Sequence, residues 1–177
     1  MAAMIGRAVP VLALLAALLV PTAWSESAVP RYAYPGTKAD LIVVQKSERR
    51  LSLYREGQLL KSYHASLGRA PVGPKRREGD GRTPEGSYII DGRLAHTPYH
   101  LGLHISYPDA RDRAQAAAFG VSPGSAILIH GIGNVRGGVT EAEARSDWTE
   151  GCIAVTNAEI EEIWAAVDDG TPIDIRP

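Results

Sequence analysis

The chain has 177 residues, of which 45% are hydrophobic, and its formal net charge at neutral pH is −1. Basic and acidic residues are nearly balanced and no basic stripe is present, so nucleic acid is not an expected partner. The single cysteine rules out a disulfide within the chain.

The first 25 residues predict a secretory signal peptide. Arg7 supplies positive charge, the run from Val9 to Val20 is apolar, and Ala23 and Ser25 place small residues at the −3 and −1 positions of a cleavage site. The apolar run is shorter than the roughly 20 residues of a membrane-spanning helix. We therefore expect export to the periplasm or cell envelope, with membrane attachment only if the signal is not cleaved.

The rest of the chain predicts a mostly β fold with a small α part. Residues 26–39 are rich in Ser, Pro, Tyr and Gly and predict a linker, whereas residues 40–177 predict one folded domain. Apolar and alternating runs predict about eight strands, among them 40–45, 51–55, 58–67, 87–90, 101–106, 125–130 and 172–175. Helices are predicted at 109–119 and 157–167, and a helical turn at 140–145.

A long loop rich in Gly, Pro and charged residues occupies residues 68–83, and we call it the basic loop. Loops of this length without an element of their own are functional or disordered more often than not. Its cations are candidates for binding substrate carboxylates, and they are Lys75, Arg76, Arg77 and Arg82. A purely solvated loop is the alternative, and the sequence leaves open whether the loop closes over a substrate.

Cys152 and His130 are the candidate catalytic residues. Cys152 follows Gly151 at the end of a polar loop and precedes a short apolar run, so its thiol is expected near a turn that substrate can reach. An unpaired cysteine in an exported protein is exposed to oxidation, which calls for a functional reason to keep it. His130 ends a predicted strand, which carries its side chain to a rim. Together these residues predict a Cys–His nucleophile.

Three other histidines, His96, His100 and His104, are spaced four residues apart. On one helix they would form a face suited to zinc, but Pro98 and Gly102 interrupt the stretch and the pattern is strand-like. We therefore expect no metal and no cofactor, and keep a zinc peptidase only as an alternative. His104 remains a candidate for substrate binding, or for the base in place of His130.

The motifs resemble a known family. His130-Gly131 followed by Thr149-x-Gly151-Cys152 resembles the signature of the L,D-transpeptidase (YkuD-like) catalytic domain family. The Thr-Pro-Glu-Gly turn at residues 83–86 looks like that family's Thr-Pro-x-Gly-aromatic turn, and the similarity extends over roughly residues 40 to 176. The resemblance implies a β-sandwich or barrel with about two helices, and makes residues 40–177 a catalytic domain.

The family's activity, if it applies here, is attack on the L-to-D peptide bond of peptidoglycan stem peptides after a diaminopimelate residue. By position, Cys152 would form the acyl-enzyme and His130 would be its base. The carbonyl of Gly131 would orient the imidazole, and the amides of Gly151 and Cys152 would form part of the oxyanion hole. Arg82, Thr149 and His104 are further candidates for contact with substrate.

The acceptor is left open by the sequence. Glu150 and Ala154 depart from residues that many family members carry around the cysteine, and the run from Gly151 to Asn157 looks closest to a sub-branch that includes an amidase releasing a lipoprotein from peptidoglycan. A transpeptidase that uses a stem amine and a hydrolase that uses water are both compatible with the motifs. Peptidoglycan-bound lipoprotein is thus a second candidate partner, and a non-catalytic cell-wall-binding module is the alternative from another class.

Overall fold

The computed structural model describes residues 36–133 and 145–177. The predicted signal peptide, most of the predicted linker and most of the helical turn at 140–145 lie outside these ranges. The strands are β1 Leu41–Gln45, β2 Arg50–Arg55, β3 Gln58–His64, β4 Gly86–Thr97, β5 His100–Ile105, β6 Leu128–His130, β7 Ile153–Ala154 and β8 Pro172–Arg176. The helices are α1 Ala110–Ala118 and α2 Asn157–Ala166, and Lys46–Glu48 form a short 3-10 helix. Neither α1 nor α2 has the length and hydropathy that a bilayer span requires, and no other helix in the described ranges does.

The strands form one sheet whose two ends meet. Their hydrogen-bonded order is β3-β2-β1-β8-β4-β5-β6-β7. Ser66, two residues beyond β3, exchanges two backbone hydrogen bonds of 2.8 Å with Ala154 of β7, and Gly68 bridges to Thr149. These bridges join the chain just beyond β3 to β7 and to the turn before it, so the two ends of the sheet come together. The fold is therefore mostly β and barrel-like with two helices, as the sequence predicted.

The core is built from side chains on one face of the strands. Ile42 and Val44 of β1 are fully buried while their neighbours are partly exposed, because successive side chains of a strand point to opposite faces. Helix α2 covers the core with Ile160 and Ile163, spaced at a helical period. Burying one such side chain stabilises the fold by about 1.5–3 kcal/mol.

Both helices begin where local chemistry predicts. Thr156 accepts a hydrogen bond from the Glu159 amide, and the Glu159 carboxylate accepts one from the Thr156 amide, which is a capping box. Asp109 and Asp112 form the same arrangement before α1. Because the cap at Thr156 lies two residues after β7, it fixes the direction in which the chain leaves the Cys152 strand.

Three strands differ in extent from the predictions. Strand β3 was predicted at 58–67 but ends at His64. Strand β4 runs on to Thr97 and pairs with β5, but register shifts after Ile90 and Leu94 break the alternation that would have revealed it. The strand predicted at 125–130 shortens to β6 because Ala126 has φ 57°, which is left-handed backbone that cannot continue a strand.

Candidate active site

The barrel places His130 at the end of β6 and Cys152 directly before the neighbouring strand β7. In the parallel pair β6–β7, Ile129 lies opposite Ile153 and His130 opposite Ala154. Ile129 and Ile153 both point into the core. Because side chains alternate along a strand, His130 and Cys152, the residue before β7, face the other side together.

His130 is held as a neutral base. Its ring is buried, with 2% of the residue exposed, and Nδ1 lies 2.6 Å from the carbonyl oxygen of Gly131. A carbonyl only accepts, so Nδ1 carries the proton and Nε2 keeps the lone pair that a thiol proton needs. Burial lowers the pKa of His130, and the hydrogen bond to Gly131 opposes this only in part.

Two aromatic rings enclose the His130 imidazole. The Tyr99 ring centroid lies 4.6 Å from that of His130, and the Trp148 centroid lies 5.8 Å away, edge-on. The centroids of the Tyr99 and Trp148 rings are 6.1 Å apart, and these two rings shield the imidazole from water. Trp148 thus packs on the base. Tyr99 was not among the predicted site residues, because nothing in the sequence marks it except its place in the turn between β4 and β5.

The Cys152 thiol is half-buried and lies against the chain before β6. Its Sγ donates to the carbonyl of Ala126 over 3.7 Å. Burial raises the pKa of the thiol, while the backbone N–H of Leu128 and the ammonium of Lys75 act in the opposite direction. Burial therefore favours the uncharged form of both groups, a thiol and a neutral imidazole.

Thr149 shapes the turn that presents the thiol. Its buried hydroxyl donates to the Cys152 carbonyl over 2.8 Å and accepts from the Gly151 amide over 3.1 Å. These contacts engage Thr149 within the turn, so the structure gives it a structural position where substrate contact was expected. They also engage the Gly151 amide, which was expected to be free for an oxyanion.

Both glycines of the motif are required by close backbone approaches. Gly151 has φ 135°, and a Cβ on it would come within 2.5 Å of the Arg82 carbonyl oxygen. A Cβ on Gly131 would lie 2.5 Å from Asn157 Oδ1. Any side chain at either position would displace the loop that carries the thiol or the one that orients the imidazole.

An ion pair between Arg49 and Asp147 anchors the turn. Asp147 accepts two hydrogen bonds from Arg49 Nε, of 2.9 and 3.0 Å, and one of 2.7 Å from Nη2. It also accepts one from the Leu67 amide over 3.0 Å. Arg49 and Asp147 are 98 positions apart, so no local pattern links them.

The basic loop is fixed against the barrel. Lys46 is 2% exposed, and its ammonium donates to Glu85 over 2.8 Å and to the carbonyl oxygens of Gly73 and Thr83 over 2.7 and 3.0 Å. Burial lowers the pKa of Lys46, and Glu85 opposes that effect. A loop tied to a buried cation in this way forms a rigid wall.

A cleft of about 320 Å³ opens on one side of the thiol. The residues that line it are Lys75, Glu78, Gly79, Gly124, Ser125, Ala126, Ile127, Glu150 and Cys152. Arg82 is not among them, since its guanidinium lies beside Gly73. His104 is not among them either, because its Nδ1 is hydrogen-bonded to Asp91.

The spaced histidines lie on the β4–β5 hairpin and not on a helix. His100 contacts Glu161 over 2.7 Å, and His104 contacts Asp91. Within residues 36–133 and 145–177, no group of three metal-binding side chains is brought together.

The sheet closes into a barrel, and the side chains of Cys152 and His130 lie on the same face of it. These two features define the class of this chain. The family model of the L,D-transpeptidase catalytic domain matches residues 39–175. The chain therefore belongs to the L,D-transpeptidase catalytic domain family.

Individual relatives agree with this assignment. The chain is 32% identical over 132 residues to YafK of Escherichia coli K12, a protein provisionally named an L,D-transpeptidase. The match covers 71% of this chain and 46% of YafK, so the chain spans about half the length of this curated relative.

Solved structures share the fold. The helical cell shape determining protein Pgp2 of Campylobacter jejuni (K307A mutant) superposes with a TM-score of 0.58 at 24% identity, covering 80% of this chain and 48% of Pgp2. Bd1075 of Bdellovibrio bacteriovorus superposes with a TM-score of 0.55 at 26% identity, covering 78% of this chain and 48% of Bd1075.

Proposed function

We propose that this chain is a cysteine acyltransferase that acts on the L-to-D peptide bond of peptidoglycan stem peptides through a Cys152 acyl-enzyme. The observation that carries the proposal is the fixed tautomer of His130. With Nδ1 bound to the Gly131 carbonyl, Nε2 is the base on the face of the sheet that also carries Cys152. Membership of the L,D-transpeptidase family supplies the class of substrate.

Acylation begins from the uncharged pair. Nε2 of His130 takes the thiol proton as Sγ attacks the carbonyl carbon of the L-centre, and a tetrahedral oxyanion forms. The Cys152 amide is the donor of the turn that would stabilise this oxyanion, because the Gly151 amide is bound to Thr149. The C–N bond then breaks, the imidazolium protonates the leaving D-amino acid, and a thioester remains.

Deacylation repeats these steps with a second nucleophile. His130 removes a proton from the acceptor amine of another stem, the amine attacks the thioester carbon, and the released thiolate regains the proton. Water in place of the amine would make the same chain a hydrolase. The neutral imidazole serves either acceptor, so the products decide between them.

We also propose that the chain acts outside the cytoplasm. The apolar run from Val9 to Val20 and the small residues Ala23 and Ser25 support export with cleavage after Ser25. The mass of the exported protein tests this, since cleavage there leaves a chain beginning at Glu26.

The proposed activity is tested by incubating the protein with peptidoglycan stem peptides and analysing the products by mass spectrometry. We expect cross-linked or amino-acid-exchanged stems from the unmodified protein. The Cys152→Ala variant should lose at least about 10³-fold in rate, because the nucleophile is gone while the fold is kept. A mass increment on Cys152 equal to the donor acyl group would identify the thioester directly.

The other outcomes have definite meanings. Shortened stems, or lipoprotein remnants released from peptidoglycan, would identify a hydrolase with the same acyl-enzyme. Equal rates for Cys152→Ala and the unmodified protein would overturn the proposal. Binding to peptidoglycan without any product from either protein would identify a wall-binding module.

A further inference from the structure

The four cations of the basic loop have different positions in the structure. Arg76 and Arg77 are exposed, and the Arg82 guanidinium lies beside Gly73. Lys75 alone of the four lines the cleft with Cys152, and it is 5% exposed. A buried ammonium is costly unless it is paired, and Lys75 is paired with Asp80.

Asp80 holds Lys75 in place. Its carboxylate accepts one hydrogen bond from the Lys75 ammonium over 2.9 Å and three from the backbone amides of Arg76, Arg77 and Arg82 over 2.8 to 3.1 Å. Burial by itself raises the pKa of Asp80, but these hydrogen bonds outweigh it and the pKa is lowered. Asp80 is therefore ionised, and its hydrogen-bonding capacity is filled.

Lys75 retains donors for a second anion. Of its three N–H groups, one bonds to Asp80, and no other partner of its ammonium occurs in the described part of the chain. Among the cleft-lining residues that the structure describes it is the one cation, and its charge reaches the Cys152 thiol. A rigid, partly satisfied cation beside a nucleophile is positioned to bind a carboxylate.

We propose that Lys75 is a specificity-determining residue that binds a free carboxylate of the substrate in the cleft beside Cys152. The inference rests on the proposed function, since the carboxylate belongs to the donor stem. Two free carboxylates belong to the residues on either side of the bond that Cys152 attacks. They are the C-terminal carboxylate of the leaving D-amino acid and the D-centre carboxylate of the diaminopimelate side chain.

The test compares three synthetic tetrapeptide stems on the unmodified protein. The first stem carries both of the carboxylates named above. The second is amidated at the C-terminus, and the third is amidated at the diaminopimelate D-centre. We expect one of the two amidations to lower kcat/KM by about 10- to 100-fold, because a charge-assisted hydrogen bond is lost. Which amidation does so identifies the group that Lys75 binds.

Variants then assign the effect to Lys75. In Lys75→Met the rate on the free acid should fall to that on the sensitive amide, so that the discrimination disappears. Arg76→Met removes the same charge from the neighbouring exposed position and should keep the discrimination. Lys75→Arg retains a cation at this position and should keep part of the discrimination between the free acid and the amide. Thermal melts identify any loss of folding, and the comparison of substrates on the unmodified protein needs no variant.

Several outcomes would overturn the inference. One is equal turnover of all three stems by the unmodified protein. Another is that Lys75→Met lowers kcat/KM equally on all three stems and also slows the alkylation of Cys152 by neutral iodoacetamide. In that case Lys75 would act on the thiolate and not on a substrate carboxylate.

Binding to Cys152→Ala separates this inference from the proposed function. If no stem is turned over but binding by calorimetry still weakens on one amidation and in Cys152→Ala/Lys75→Met, the proposed reaction fails and the Lys75 site stands. If turnover occurs without dependence on Lys75, the reaction stands and the site fails. Absence of both turnover and binding overturns both.

Discussion

The two sides of the Cys152 thiol differ in chemistry. On one side His130 is buried under Tyr99 and Trp148, and its pKa is lowered by burial. On the other side lies an open cleft that contains Lys75 and carboxylates such as Glu78. Proton transfer benefits from a dry, fixed base, whereas recognition of a charged substrate needs space and counter-charge. In the proposed reaction, the base therefore lies on the buried side of the thiol and substrate recognition on the open side.

The largest effect is expected from replacing His130, the base on the buried side of the thiol. His130→Ala should lower kcat/KM by about 10²- to 10⁴-fold, because the general base is lost. His104→Ala is the matched control, since His104 lies on the same barrel but does not line the cleft. It should leave the rate nearly unchanged. The reverse result would make His104 the base, and thermal melts on both variants would show whether either loses its fold.

The next largest effect is expected from replacing Gly151, in the turn that presents the thiol. Gly151→Ala should lower activity by about 10²-fold, because its Cβ would displace the thiol by overlapping the Arg82 carbonyl. Gly120→Ala also has positive φ, 65°, but open space around its Cβ, so it measures the strain of left-handed backbone, about 1–2 kcal/mol, without a steric overlap. Denaturant unfolding should show a larger loss of stability for Gly151→Ala. Equal losses would mean that the close approach to Arg82 is unimportant.

The smallest effect is a shift in pH dependence. Burial raises the pKa of Cys152, so the rate of alkylation by neutral iodoacetamide should reach half its maximum at a higher pH than for a free cysteine. Burial lowers the pKa of His130, so the neutral base persists to lower pH and the acid limb of kcat/KM should lie below about 6.5. An alkylation midpoint below that of free cysteine would show a resting thiolate–imidazolium pair instead.

The sequence predicted most of the fold because its signals are local. A continuous apolar, β-branched run predicted β1, and alternating apolar residues predicted β2. The Thr156 capping box predicted the start of α2. The prediction failed where a local rule is broken. Register shifts hid the second half of β4, and the positive φ of Ala126 shortened β6.

The sequence by itself determined the family and the candidate pair Cys152 and His130, because a lone cysteine and a strand-end histidine are recognisable without neighbours. Only the tertiary structure distinguished Lys75 from the arginines of the basic loop, and only it joined Arg49 to Asp147. These relations depend on closure of the barrel, which brings together side chains that are far apart in the chain. Burial and hydrogen bonding at those contacts then decide which charged residue faces the thiol and which faces solvent.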